Sequence, residues 1–209
     1  MNTKDIKLTH TSKMPGASFS LSAQKCITGS ILHKQEGTVC SKCYARKGRY
    51  NFPNVRNAQD RRLTQVNDRD FVRCMTEVLK NDKITQKVKL FRWHDSGDLQ
   101  SLEHLEKIVQ IAKNLPNIKF WIPTKEYNIV RMFKGEVPKN LTIRVSYPMI
   151  NGRFNGQYEC TSSVSSKELL SEVKKEEICP ATETHTTCND NGCTKCWDKE
   201  IVNITYVKH

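Results

Sequence analysis

Seven of the nine cysteines in this 209-residue chain fall into two groups near its opposite ends. The first cysteine cluster contains Cys26, Cys40 and Cys43, and the second cysteine cluster contains Cys179, Cys188, Cys193 and Cys196. Each cluster includes a Cys-x-x-Cys pair, a spacing at which one turn of backbone can direct both sulfurs to one metal centre. We therefore expect both ends of the chain to be tied to metal, which restricts how the polypeptide between them folds.

The cellular compartment supports metal binding rather than disulfide formation. The amino-terminal residues lack an apolar signal segment, and no run of about 18 apolar residues occurs, so we expect a cytoplasmic protein without a membrane span. In a reducing cytoplasm, clustered cysteines are usually metal ligands or redox groups. An odd number of cysteines also argues against a fully paired disulfide framework.

The middle of the chain has the pattern of an α/β fold. Strand-like runs at 88–93, 118–122 and 141–145 alternate with helical patterns at 102–112 and 126–133. Short connections between alternating strands and helices predict parallel strands joined by crossover helices. We expect further strands at 17–23 and 201–207, and an α/β sheet that forms a partial or small barrel, similar to a TIM barrel.

The length suits a single domain covering 1–209. Within it we distinguish a first cysteine loop at 24–50, a basic helical region at 53–81, a strand–helix core at 87–147 and a carboxy-terminal cysteine segment at 178–198. Proline at position 53 suits the first turn of a helix.

Ligands of parallel α/β folds bind beyond the carboxyl ends of the strands. This rule collects residues that follow four predicted strands, namely Cys26, the run His94-Asp95-Ser96-Gly97-Asp98, Pro123-Thr124-Lys125, and Ser146-Tyr147. We predict that His94 is a ligand or an acid/base catalyst and that Asp98 binds a substrate amine or hydroxyl. The simpler alternative is that Asp98 or Ser101 caps the following helix.

The identity of the metal is left open by the spacing alone. Cys40, Cys43, Cys193 and Cys196 could form a closed zinc ribbon, but that arrangement leaves three clustered thiols unused. Seven thiols fit iron–sulfur ligation better, as one cluster from each group or as one cluster shared by both ends. Four further residues are possible additional or substitute ligands: Cys160, His33, His185 and His209.

The net charge of +12 is concentrated in one region. Nine Lys or Arg side chains and three Asp lie between Lys42 and Arg73. Such a field attracts polyanions, including nucleic acid. The alternative is an ordinary solvated helix face.

Several motifs together resemble the phage gene product 88 family, which is rich in cysteine and has no established activity. These motifs are Ser12-Lys-Met-Pro-Gly16, the Cys-Ser-Lys-Cys-Tyr-Ala run from Cys40, His94-Asp-Ser-Gly-Asp98 and Cys193-Thr-Lys-Cys-Trp197. The resemblance implies a phage or prophage origin, and therefore a location in the host cytoplasm.

A more distant resemblance is to radical S-adenosylmethionine enzymes, which hold a [4Fe–4S] cluster through three cysteines after the first strand of a partial barrel. Cys26, Cys40 and Cys43 are similar in placement, although Cys26 and Cys40 are more widely spaced. Ser96-Gly97-Asp98 resembles the Gly-Gly-Glu motif that binds the cofactor's amino group. The sequence thus predicts an iron–sulfur protein with one or two [4Fe–4S] clusters and a possible S-adenosylmethionine site. The alternative is a zinc-stapled, non-catalytic protein that binds nucleic acid.

Overall fold

A computed structural model of the protein describes residues 1–208 and shows one seven-stranded sheet flanked by helices. The strands are β1 (Thr9–His10), β2 (Ala17–Phe19), β3 (Leu90–Trp93), β4 (Lys119–Thr124), β5 (Leu141–Ile150), β6 (Cys160–Ser165) and β7 (Asn203–Val207). The helices are α1 (Ile27–Leu32), α2 (Pro53–Val66), α3 (Phe71–Asn81), α4 (Lys83–Val88), α5 (Leu102–Asn114), α6 (Tyr127–Met132) and α7 (Pro180–Glu183). His209 lies outside the described residues.

The order of the strands in the sheet is the order in which they occur in the chain. Strand β1 is antiparallel to β2, and the six strands from β2 to β7 are mutually parallel. Their carboxyl ends therefore meet at one edge of the sheet, where ligand sites form in parallel α/β folds.

The two faces of the sheet are covered differently. On one face, Phe19, Trp93 and Phe120 pack with buried side chains of the helices, among them Phe71 of α3 and Ile108 of α5. The opposite face carries a smaller cluster, in which Leu90, Trp121 and Ile204 pack against Trp197 and two cysteines of the carboxy-terminal segment. That segment therefore covers the face of the sheet that the helices leave free.

The expectation of a mixed α/β sheet is confirmed, but a closed small barrel is wrong. Strands β1 and β7 are the two edges of an open sheet. Strand β1 has only two residues and runs antiparallel, so it offers little edge for closure. Within residues 1–208, no helix is long and apolar enough to cross a membrane.

Candidate functional site

A cavity of about 480 Å³ opens at the carboxyl ends of the parallel strands, and we call it the strand-end cavity. Its lining includes all three residues of the first cysteine cluster, residues that follow β3, the carboxyl end of β4 with Lys125 beyond it, and residues within β5. Among these lining residues are Cys26, Cys40, Cys43, His94, Asp95, Ser96, Gly97, Asp98, Pro123, Thr124, Lys125, Ser146 and Tyr147. The structure thus brings together the residues that the sequence predicted to meet at the carboxyl ends of the parallel strands.

The thiols of Cys26 and Cys40 converge over Gly29 of α1. A Cβ atom at Gly29 would lie 3.6 Å from Cys26 Sγ and 3.7 Å from Cys40 Sγ, and only 2.9 Å from Cys26 Cβ. Any side chain at position 29 would therefore fill the space that the two sulfurs share. Cys43 follows a short 3₁₀ turn, Val39–Lys42, that contains Cys40.

The charges around these thiols fit a site that receives a cation. Burial raises the pKa of Cys26, and the negative charge of Asp98 raises it further. Burial also raises the pKa of Cys40, with Lys125 opposing the shift. The Cys26 and Cys40 thiols are consequently neutral at pH 7, and a thiophilic metal would replace their protons. As the side chains lie, no three His, Cys, Asp or Glu within residues 1–208 form a group that could hold a metal ion. Metal binding would therefore require the thiols to rotate toward a common point.

Asp98 is buried and joins the ends of β3 and β4. Its Oδ1 accepts hydrogen bonds from the Leu99 backbone N–H (2.8 Å) and the Thr124 hydroxyl (2.6 Å), and its Oδ2 accepts from the Lys125 N–H (2.8 Å). Burial raises the pKa of Asp98 to about 6, although these hydrogen bonds favour the ionised form. Three of roughly four acceptor positions on the carboxylate are therefore occupied within the protein.

His94 faces the cavity from a strained position. Its φ of 57° lies in the left-handed region, which is costly for a residue with a side chain. The ring is 5.1 Å from that of His104, and neither nitrogen of His94 has a hydrogen-bond partner within residues 1–208. Burial holds the pKa of His94 well below its ordinary value, so the ring is neutral at pH 7. A neutral imidazole can accept a proton or bind a metal.

Of the two residues that could cap the following helix, Ser101 does so and Asp98 does not. The Ser101 hydroxyl accepts the His104 N–H at 3.1 Å and caps α5. Asp98 lies three residues earlier and accepts hydrogen bonds from the Thr124 hydroxyl at the end of β4 and from the Lys125 N–H just beyond it.

The second cysteine cluster lies outside the lining of the strand-end cavity. The Cys179 N–H donates to the Thr205 carbonyl of β7, and the Cys193 N–H donates to the Cys188 carbonyl, both at 2.9 Å. Cys179 and Cys193 are electrostatic neighbours of Cys188, and burial is the main cause that raises the pKa of Cys188 to about 11. Cys179 and Cys193 are thus the cysteines nearest in effect to Cys188, although their side chains do not yet point to one common site.

The remaining candidate ligands have other partners. The Cys160 thiol donates to the Lys199 carbonyl at 3.5 Å. His33 Nδ1 is 2.8 Å from the Cys40 carbonyl oxygen, so it supports the first cysteine loop through its backbone. His185 Nε2 is 3.2 Å from Lys167 Nζ. The nine cysteines are all free thiols.

Seven of the nine basic side chains between Lys42 and Arg73 are exposed: Lys42, Lys47, Arg49, Arg56, Arg61, Arg69 and Arg73. The other two are used inside the protein. Arg46 donates to Ser30 and to the Ala23 carbonyl, and Arg62 is buried. The exposed basic surface therefore has seven positive side chains, two fewer than the sequence contains in this region.

Sequence reasoning missed several residues that line the cavity. Arg92 lies within β3 but on the opposite face from Phe91 and Trp93, a position that the two-residue period of the strand could have shown. Ser162 and Ser163 also line the cavity. They were missed because their strand, β6, is rich in serine and has no apolar alternation.

A family model described as gene product 88 matches residues 1–205. No curated protein and no solved structure matches the chain. The family predicted from the motifs is thereby confirmed, whereas the likeness to radical S-adenosylmethionine enzymes has no support from these comparisons.

Proposed function

The chain belongs to the gene product 88 family, and we propose that it is an iron–sulfur enzyme whose [4Fe–4S] cluster is held by Cys26, Cys40 and Cys43. The observation that carries this proposal is that these three thiols line the same cavity as His94 and Asp98. A purely structural metal site would not need to face a cavity of this size.

The donor set fits such a cluster. Thiolates are the usual ligands of iron–sulfur clusters, and Gly29 contributes no side chain to the space beside the Cys26 and Cys40 sulfurs. Three protein thiolates would leave one iron of a [4Fe–4S] cluster without a protein ligand, and such a cluster supplies electron transfer and a binding position for a second molecule.

The residues of the cavity have separate tasks in this proposal. Asp98 positions the ends of β3 and β4 and retains one acceptor position for an amine or hydroxyl. His94 offers a neutral imidazole to the bound substrate. Lys125 contributes a positive charge close enough to Cys40 to oppose the rise of its pKa.

S-adenosylmethionine is the candidate co-substrate within this proposal. Ser96, Gly97 and Asp98 follow β3 and line the cavity together with the first cysteine cluster. The amino group of the molecule would need an acceptor, and the free position on Asp98 is suited to it.

Anaerobic purification with metal and sulfide analysis tests the proposal. The wild-type protein should be brown and contain iron and sulfide, and C26A/C40A/C43A should lose the iron held by the first cysteine cluster. The matched control is C74A, because Cys74 is buried on α3 outside both clusters and its replacement should leave iron unchanged. A colourless wild-type protein that contains only zinc would refute the iron–sulfur proposal. A brown protein that fails to cleave S-adenosylmethionine after reduction would remove that co-substrate alone.

A second candidate function is nucleic-acid binding by a zinc-stapled protein without catalysis. It is favoured by the seven exposed basic side chains and by two exposed aromatic rings among them, Tyr44 (60%) and Phe52 (55%). Aromatic rings beside basic residues can stack on bases. Fluorescence anisotropy with labelled oligonucleotides over a salt series tests it, because phosphate-driven binding weakens steeply as salt rises. Salt-independent or absent binding would exclude this candidate.

A further inference from the structure

Arg144 of β5 is a completely buried cation held only by backbone carbonyls. Its side chain has 0% exposure. The guanidinium donates five hydrogen bonds at 2.5 to 3.2 Å, to the carbonyl oxygens of Thr161, Lys195, Cys196, Asp198 and Ile201. Three of these five carbonyls, those of Lys195, Cys196 and Asp198, belong to the carboxy-terminal cysteine segment.

These hydrogen bonds leave the charge of Arg144 uncompensated. Carbonyl oxygens satisfy the N–H donors but carry no net charge, and a buried charge without a counter-charge is costly. The ion pairs found within residues 1–208 do not include Arg144. A negative group is therefore expected beside it.

The second cysteine cluster lies where that group is needed. The Arg144 guanidinium donates to the carbonyl oxygens of Cys196 at 3.0 Å and Lys195 at 3.2 Å, so it lies directly against the backbone of the Cys193–Cys196 pair. Met14 packs in the same buried cluster as Cys179 and Cys196, and its sulfur accepts a hydrogen bond at 3.1 Å from Arg92, which makes none of the ion pairs found within residues 1–208. The guanidinium carbon of Arg92 lies 4.4 Å from the centroid of the Trp121 ring, and its Nε is buried without a partner within residues 1–208.

We propose that the thiols of Cys179, Cys188, Cys193 and Cys196 rotate from their present positions toward one point and form a closed metal centre, whose negative charge is balanced by Arg144 and Arg92. Four thiolates around Zn²⁺ or around a [4Fe–4S]²⁺ cluster give the same net charge of about −2. The two positive charges of Arg92 and Arg144 would balance this net charge. This inference is independent of the function proposed for the first cysteine cluster.

The fold of the carboxy-terminal segment supports the need for a metal. Between α7 and β7, the chain of residues 184–202 contains a single 3₁₀ turn, Lys195–Trp197. Loops of this length without secondary structure are uncommon in compact domains and usually need another restraint. The Tyr206 hydroxyl lies 3.2 Å from Cys196 Sγ, and both Tyr206 and Arg92 line the strand-end cavity. A metal held here would therefore fix the wall of that cavity.

Metal analysis of two variants tests the assignment. C26A/C40A/C43A should retain a centre, measured as about one zinc, or as about four irons with four sulfides, per chain. C188A/C193A should lose that metal. Cys188 and Cys193 are chosen because they are only partly buried, so their replacement by alanine disturbs packing less than at Cys179 or Cys196.

The role of the arginines has its own readout. R92Q should weaken metal retention about tenfold in a chelator competition, since residues next to metal ligands typically change affinity by about 10- to 100-fold. R131Q, an exposed arginine of α6, should not change it. Equal metal retention by R92Q and R131Q would refute the proposal that Arg92 balances the charge of the metal centre.

The two proposals fail in different ways. If C188A/C193A contains as much metal as the wild type, the second centre does not exist. If C26A/C40A/C43A contains as much metal as the wild type, the first cysteine cluster is empty and the proposed function fails while the second centre stands.

Discussion

Glu126 binds Thr28 through both of its carboxylate oxygens. Oε1 accepts the Thr28 backbone N–H at 2.9 Å, and Oε2 accepts the Thr28 hydroxyl at 2.7 Å. Glu126 is buried just beyond β4, and Thr28 lies two residues after Cys26. This pair therefore holds the start of the first cysteine loop against the strand ends.

We expect E126Q to loosen that loop. The amide keeps the size of the carboxylate but loses its charge and one acceptor, so we expect a loss of about 2 kcal/mol in the free energy of unfolding. The iron content of the anaerobic protein should fall as well. E103Q is the matched control, because Glu103 is 69% exposed and its ion pair with Lys107 should contribute little. Equal stability and iron content of the two variants would contradict this role for Glu126.

Gly97 is predicted to be irreplaceable for a steric reason. It has a φ of 80°, and a Cβ atom at this position would lie 2.6 Å from Leu21 Cβ and 2.8 Å from the Leu21 carbonyl carbon and oxygen. G97A should lower the free energy of unfolding by about 3 kcal/mol, from the left-handed backbone and the clash together.

The control for G97A is G156A. Gly156 has a similar φ of 71°, but a Cβ atom there would meet no heavy atom within 4 Å. Its replacement should cost only about 1 kcal/mol from the backbone conformation. Urea unfolding of both variants measures the difference, and equal losses would mean that the contact with Leu21 is unimportant.

The meeting of Cys26 with the residues from His94 to Asp98 could be predicted from the sequence. Alternating strand and helix patterns imply parallel strands, and parallel strands place their following loops at one edge. The apolar pattern at 102–112 also predicted α5 to within two residues, whereas β4 continues two residues beyond the predicted run at 118–122 and includes Pro123 and Thr124. Topology alone was sufficient for this part of the site.

The covering of the opposite face could not be predicted. The carboxy-terminal segment is attached through backbone carbonyls that bind Arg144, and a carbonyl oxygen has no sequence signature. The same limit applies to Asp98, whose carboxylate binds two backbone N–H groups. Strand β6 was missed because its buried side chains are mainly hydroxyls that pair with one another, such as Ser163 with Thr205.

The buried carboxyl of Asp98 should make stability depend on pH. Burial raises the pKa of Asp98 to about 6 in the folded protein, against about 3.9 in an unfolded chain. The folded state thus holds the proton more tightly. The stability that Asp98 contributes is complete below about pH 4 and is lost as pH rises through 6, by about 3 kcal/mol in all.

D98N isolates this effect because an amide does not titrate. The variant loses a hydrogen bond at every pH, since its amide nitrogen cannot accept the Lys125 N–H. The free energy of unfolding of the wild type minus that of D98N should therefore be about 3 kcal/mol larger at pH 4 than at pH 7.5. Urea unfolding at several pH values measures this difference. A difference that stays constant with pH would contradict the raised pKa.

Arg61 and Arg62 are neighbours in α2 with opposite environments. Arg62 is 8% exposed, donates to the Lys7 carbonyl at 2.8 Å and the Thr9 hydroxyl at 2.9 Å, and lies 5.4 Å from the centroid of the Phe19 ring. Arg61 is exposed. R62A should lower the free energy of unfolding by about 3 kcal/mol, whereas R61A should change it by no more than about 0.5 kcal/mol.

The same pair of variants also tests how the basic field acts. Each removes one positive charge, so a partner that senses only net charge would bind R61A and R62A equally weakly. A surface that contacts phosphates directly would lose affinity and salt dependence in R61A alone, because the Arg62 guanidinium is already bound inside the protein. Anisotropy titrations under conditions where both variants are folded would separate these outcomes. Undiminished binding by R61A would exclude Arg61 from the contact surface.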